Sequence, residues 1–378
     1  MSNNKKRVVI KIGTSVLTRS RSARGEGSDF EADANSPLGR LVSQISRLRA
    51  QGFEILVVSS GAIGAGMARL VWKKRPDEIR KKQAAAAVGQ VALMQVYKKL
   101  FNAHGALVAQ VLLTRSDIED RRRYMNARNT LLTLLELGVV PVINENDTVA
   151  VDEIKFGDND RLSALVAAKT DAGLLIILSD VDGLLRSADK KESKVVPVVA
   201  EINKDIEALV WKGVKSDLGT GGMASKIEAA KIATASGVTT VIANAFRENI
   251  LTDIAGGKEA GTKFISLKSL STKEKWILFG AVPKGEIVVD EGACRALKGL
   301  NKSLLPAGVA DVKGNFGKGD VVKIKTQGTG EFARGIALFS SQDIEKIKGR
   351  KSADLAKLLG RAPASHEVVH RDSLAIIP

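Results

Sequence analysis

The chain has 378 residues, a hydrophobic content of 44% and a formal net charge of +16. At about 100–200 residues per domain the length suggests two or three domains, and the ordinary apolar fraction excludes global disorder. The lone cysteine, Cys294, excludes an intrachain disulfide, and with only His104, His366 and His370 beside it no zinc cluster forms. No apolar run approaches the roughly 20 residues of a membrane span. The first apolar stretch is broken by Lys11, too early for a signal-peptide core, so the expectation is a cytoplasmic protein without a membrane partner. The positive excess favours anionic partners, either phosphate-bearing substrates or nucleic acid. An aromatic content of 4% speaks against a base-stacking platform.

In chain order, Val8-Val9-Ile10 runs into Lys11-Ile12-Gly13-Thr14-Ser15. A polar, charged stretch over 18–37 reads as a loop, either a lid or an oligomer contact. Leu41, Ile45 and Leu48 share one face of a helix expected over 38–50. Ile55-Leu56-Val57-Val58 leads into Ser59-Ser60-Gly61-Ala62-Ile63-Gly64, and helices are expected over 83–101 and 128–137, the second stopped by Gly138. Val139 to Ile143 leads into Asn144-Glu145-Asn146-Asp147, and Leu174 to Leu178 into Ser179-Asp180. A further helix follows Gly221-Gly222, carries Met223, Ile227, Ala230 and Thr234 on one face, and ends at Gly237. Short apolar runs separated by helices are the pattern of buried parallel strands in an α/β fold. Beyond a lysine-rich connector, short strand-like pieces at 286–289, 309–312, 320–324 and 333–337 suggest a small β-barrel. The expected organisation is a first domain over 1–265, a connector over 266–282, a second domain over 283–362 and a tail over 363–378.

The polar motifs fall at the downstream ends of the strands, the edge where open parallel sheets bind ligands. Lys11 precedes Gly13, so its ammonium and bare backbone amides can share one anion. Ser60-Gly61-Ala62-Ile63-Gly64 and Gly219-Thr220-Gly221-Gly222-Met223-Ala224-Ser225-Lys226 are small-residue loops entering helices, whose amides suit phosphates. Neither has the spacing of a Walker A or Rossmann loop. Asn144-Glu145-Asn146-Asp147 and Gly157-Asp158-Asn159-Asp160 place amides and carboxylates in a basic protein. Such groups can grip an amino acid's ammonium, and a carboxylate between two lysines can hold both.

These motifs, with Leu113-Thr114-Arg115 and Asn126-Ala127-Arg128, resemble the amino acid kinase family, in the branch that phosphorylates glutamate. The stretch from Asn144 to Asp160 is the specific part. The resemblance implies a three-layer α/β/α sandwich with a mainly parallel open sheet. It implies transfer of the γ-phosphoryl group of ATP to the side-chain carboxylate of L-glutamate, on the route to proline. Carried over residue by residue, Ser60, Asp147 and Asn159 bind glutamate. Lys11, Gly13, Ser179, Asp180, Thr220, Gly221, Gly222, Met223, Ala224, Ser225 and Lys226 bind ATP. Lys11 and Lys226 flank the moving phosphoryl group, and Asp160 orients them. Mg2+ is held mainly by the nucleotide phosphates, with no protein metal site. Ser179 stands where the family often has threonine, keeping the hydroxyl.

The C-terminal part, through Gly285-Glu286-Ile287 and Ser303-Leu304-Leu305-Pro306-Ala307-Gly308-Val309, resembles a PUA domain. The resemblance further implies feedback inhibition by proline, a homo-oligomer (dimer or tetramer), and a functional association with glutamyl phosphate reductase. It leaves RNA binding by the PUA-like part open. The alternative, an RNA-binding protein with a vestigial kinase domain, is opposed by the intact Lys11, Asp160 and Lys226.

Overall fold

β-Branched and leucine-rich runs bounded by polar turns give the strands of a large sheet. The computed structural model describes residues 6–19, 33–149, 159–186, 194–211, 222–266, 270–300, 302–328, 330–363 and 365–377. By internal contacts the chain forms two units, Met1–Ile118 with Arg122–Ser269, and Glu119–Arg121 with Leu270–Pro378.

Up to residue 266 the elements are β1 (Arg7–Ile12), α1 (Thr14–Arg19), α2 (Pro37–Ala50), β2 (Glu54–Ser59), α3 (Ala62–Arg69), α4 (Ile79–Asn102), β3 (Val108–Leu113), α5 (Ser116–Glu119), α6 (Arg121–Glu136), β4 (Val140–Glu145), α7 (Asn159–Lys169), β5 (Leu174–Ser179), β6 (Val198–Val199), α8 (Lys204–Trp211), α9 (Met223–Ala235), β7 (Thr239–Asn244), α10 (Ile250–Ala255) and β8 (Thr262–Phe264). The eight strands lie in the order β3-β4-β2-β1-β5-β7-β8-β6, with β7 and β8 antiparallel and the other pairs parallel. β1 sits centrally, with β2 on one side and β5 on the other, so the winding direction changes at β1. That is where an open sheet leaves a crevice for ligands.

Every residue of β1 and β4 is buried, as a sheet covered on both faces requires. On one face Val8, Ile10, Ile55 and Val57 pack with Leu41 and Ile45 of α2, Tyr97 of α4 and Leu251 of α10. α7 and α9 pack together against the other face. α2 starts as its sequence dictates: Ser36 Oγ accepts from Gly39 N at 3.0 Å, and Pro37 takes the first helical position. α3 and α4 cross in close contact through glycines. A Cβ on Gly66 would collide with the Ala85 carbonyl, and one on Gly89 with the Ala62 carbonyl.

Two helices begin earlier than expected, α4 at Ile79 rather than 83 and α6 at Arg121 rather than 128. Both extra turns are rich in exposed basic side chains, which hide the apolar period.

The second unit holds α11 (Thr272–Lys275), which runs into a π-helical turn at Trp276–Gly280, then β9 (Gly285–Val289), α12 (Glu291–Leu300), β10 (Val309–Gly314), β11 (Val321–Thr326), β12 (Glu331–Ile336), α13 (Ser341–Ile347), α14 (Leu355–Leu359) and β13 (Leu374–Ile376). The strand order is β10-β9-β11-β12-β13, over a core that includes Ile287, Val322, Ile324, Ala333 and Ile344. The stretch expected as a connector packs here, Ile277 and Leu278 lying against Val321 and Ala375. The stretch expected as a tail supplies the edge strand β13; three residues are too few to show a strand period. Among the described residues no helix is long and apolar enough to cross a membrane.

Candidate active site

Parallel pairing brings the ends of β1, β2, β4 and β5 to one edge. Ile12 lies opposite Ser59 on β2 and Leu178 on β5. The start of α7 enters this edge with Asn159 and Asp160, and the start of α9 enters it with Ser225 and Lys226.

Asp160 is fully buried, and Lys11 and Lys226 are 4% and 5% exposed. Lys11 Nζ lies 2.6 Å from Asp160 Oδ1, and Lys226 Nζ lies 3.2 Å from Oδ2. Ser225 Oγ donates to Oδ2 at 2.9 Å. One carboxylate thus joins two ammoniums contributed by different elements. In so buried a site these charges act on a nearby anion far more strongly than they would in solvent. The first turn of a helix also favours an acidic residue, which suits Asp160 as the hub. The backbone beside Lys11 leaves little room for a side chain. A Cβ on Gly13 would stand 3.3 Å from the Leu178 carbonyl and 3.7 Å from Lys11 Nζ.

Next to this hub lies an amide cluster. Asn159 Nδ2 donates to Asn144 Oδ1 at 2.8 Å, to the Ser59 carbonyl at 2.9 Å and to Ser60 Oγ at 3.1 Å. Asn144 Oδ1 also accepts from Glu145 N at 2.9 Å. What remains is a buried donor, Asn144 Nδ2, and a buried acceptor, Asn159 Oδ1, neither with a hydrogen bond. Native interiors rarely leave such groups unpaired, and an amino acid carries the complementary carboxylate and ammonium. Tyr97 OH donates to Ser59 Oγ at 2.9 Å from inside the core. Burial pushes the Tyr97 hydroxyl well above its usual range, opposed by the Ser59 hydrogen bond, so it stays a neutral donor. Gly61 has φ +94° and faces Leu17 Cδ1 at 2.6 Å from where a Cβ would stand, so only glycine turns the chain into α3.

Of the residues singled out from sequence, Lys11, Asp160, Ser225 and Lys226 form the hub, and Ser60 and Asn159 lie in the adjoining amide cluster. Asp147 is half-buried in the turn just beyond β4. Ser179 Oγ donates to Asp180 Oδ1 at 3.2 Å at the end of β5, beside β1. Gly222 precedes α9, and Met223 and Ala224 form its first turn. Thr220 and Gly221 lie outside the described residues. Sequence reasoning missed the unused Asn144 amide, the Ser59 carbonyl and the Tyr97 support. Asn144 stood in a recognised motif, but nothing local distinguished it from Asn146.

The model of the amino acid kinase family matches residues 6–244, and that of the PUA domain matches residues 285–359. The chain belongs to the amino acid kinase family. A glutamate 5-kinase of Caldanaerobacter subterraneus subsp. tengcongensis is 46% identical, with 98% of each chain covered. One of Burkholderia multivorans is also 46% identical, again with 98% of each covered. A carbamate kinase structure from Giardia lamblia is 19% identical with a TM-score of 0.49, covering 71% of this chain and 100% of that one. The amino acid kinase fold here is the mostly parallel eight-stranded sheet with its helices, and the five-stranded sheet belongs to the PUA domain. Among the described residues no group of three or more His, Cys, Asp or Glu could hold a metal ion.

Proposed function

We propose that this amino acid kinase transfers the γ-phosphoryl group of ATP to the side-chain carboxylate of L-glutamate, yielding glutamyl 5-phosphate and ADP, a first step toward proline. The observation that carries this reading is the Lys11–Asp160–Lys226 bridge beside the unpaired amide groups of Asn144 and Asn159. The names of the curated relatives support the choice of glutamate.

In this reading Asn159 Oδ1 accepts from the α-ammonium of glutamate and Asn144 Nδ2 donates to its α-carboxylate, with Ser60 and Asp147 completing the subsite. The side-chain carboxylate is ionised near neutral pH and needs no general base. Its oxygen attacks the γ-phosphorus as the bond to the β,γ-bridging oxygen breaks, and that electron pair leaves on ADP. Phosphoryl transfer asks the protein chiefly for position and charge. Lys11 and Lys226 offset the charge spreading over the equatorial oxygens, while Asp160 and Ser225 fix the geometry. Ser179, Asp180 and residues 220–226 hold the nucleotide. Magnesium belongs to the nucleotide in this scheme, neutralising its phosphates. Asp160, already bridging two lysines, is not assigned to it.

The same reading takes in proline as an inhibitor at the glutamate subsite, a dimer or tetramer as the working form, the cytoplasm as its place, and a glutamyl phosphate reductase as the consumer of the reactive product. RNA is the partner class to test on the PUA domain.

The test is ATP turnover with magnesium and hydroxylamine, comparing L-glutamate, L-aspartate, N-acetylglutamate and UMP. Hydroxamate formed from L-glutamate alone is the expected result. Turnover with aspartate or UMP but not glutamate would refute the assignment.

A further inference from the structure

The transfer makes no use of a second buried charge on α7. Lys169, the last residue of that helix, is fully buried, and its Nζ makes no hydrogen bond. A lysine in a last turn normally reaches solvent and offsets the helix dipole. Here Nζ instead stands over the ring of Tyr124 on α6, 4.3 Å from the centroid.

The backbone around it is pinned. Arg128 Nε donates to the Lys169 carbonyl at 2.9 Å, and its Nη2 lies 2.8 Å from Asp171. Arg7 donates to the Thr170 carbonyl and pairs with Glu54. The groups shown to act on the ammonium are Tyr124 of α6 and Asp117 of α5; Arg128 of α6, Asp171 of the next turn, and Arg7 and Glu54 at the starts of β1 and β2 are the charged groups at the adjoining backbone. Burial pushes the Lys169 amine down to about 7, with Asp117 the group that opposes it.

Both neighbours of Lys169 lead to the site. α7 is an 11-residue rod, about 16 Å long, with Asn159 and Asp160 at its other end. Asp117 accepts from Thr114 N at 2.7 Å and Thr114 Oγ1 at 2.6 Å at the end of β3, whose Leu112 and Leu113 pair with Asn144 and Glu145.

We propose that Lys169 is a proton-operated latch on α7. Neutral, it seats the end of the helix beneath Tyr124; protonated, it drives that end off its apolar seat and slackens Asn159 and Asp160. Lys169 is thus a positioning residue, acting through the helix on the site. The effect on activity rests on the functional reading above; the effect on stability does not.

The experiment compares the full chain with Lys169→Met, which fills similar space without a charge. With kcat and the glutamate KM measured from about pH 5.5 to about 9, the parent should lose kcat/KM below neutrality, by up to about tenfold per pH unit, the limit for one proton. Lys169→Met should lack that acid limb. The same limb in both proteins, or a folded Lys169→Met inactive at every pH, overturns the latch. Urea unfolding gives a readout independent of turnover. The folded state holds this proton less tightly than the unfolded chain, so the parent should gain stability relative to Lys169→Met as pH rises from about 7 toward 10.5. Parallel stability curves across that window also overturn the latch. A chain without glutamate-dependent turnover would defeat the functional reading, and the unfolding curves would still decide whether Lys169 releases a proton.

Discussion

At its first turn α7 buries the Asp160 carboxylate between two ammoniums and a serine hydroxyl. At its last it buries the Lys169 ammonium over a tyrosine ring, without a hydrogen bond. The helix and the depth of burial are shared; the partners differ. A buried charge with matched partners holds its ionisation and can serve as a fixed electrostatic part. One without such partners gives way by losing its proton. In the proposed reading the contrast makes one end of the helix a catalytic anchor and the other a sensor.

Removing the anchor should have the largest effect. Asp160→Asn removes the buried carboxylate that bridges the two lysines. It should abolish measurable turnover and cost about 3–5 kcal/mol of stability, as losing one member of a buried ion pair does, read by urea unfolding. Next, Lys226→Ala should lower kcat by about 10²–10³-fold, the scale of one transition-state donor, with the glutamate KM little changed. Asp147→Ala should do the reverse, raising the glutamate KM by about 10–100-fold, the scale of a hydrogen bond to a charged group. Equal effects of the two changes on KM would erase the division between phosphoryl and glutamate subsites.

At the sensor end Lys169→Met should stabilise the protein by roughly 2–5 kcal/mol at neutral pH and below, by the usual conversion from a pKa shift. That gain should fade as pH climbs toward 10.5. Between the two ends, Arg161 Nη1 on α7 lies 2.5 Å from Glu228 Oε1 on α9, with the side chains 35% and 56% exposed. Arg161→Ala should cost about 0.2–1 kcal/mol, with no change in the pH dependence of unfolding. A larger loss would show that exposure, and not partner chemistry, was the wrong variable to compare.

Much of the anchor was legible in the sequence. Lys11 and Gly13 at a strand end, a glycine-rich entry to the helix bearing Lys226, and an acidic cluster in a basic chain are local signals. Parallel strands bring such ends together. The unused amide pair was not legible, because it depends on which way the Asn144 and Asn159 side chains point once three strands meet. Lys169 was less visible still. Val-Ala-Ala-Lys reads as a helix ending in a solvated lysine, and only Tyr124 from a distant helix shows otherwise. In the second unit the edge strand escaped notice because Leu374-Ala375-Ile376 has no period of its own.

The glycine crossing of α3 and α4 bears on any effort to retune the substrate pocket. α3 follows directly from the Ser60-Gly61 turn, and Gly66 and Gly89 hold it against α4 with no room for one more carbon. Libraries that vary these two positions should return mostly misfolded chains, although neither glycine touches a reacting atom. In the proposed reading, changes meant to admit a bulkier acceptor belong instead on the β4 side, where Asp147 sits in a turn and not on a packed helix.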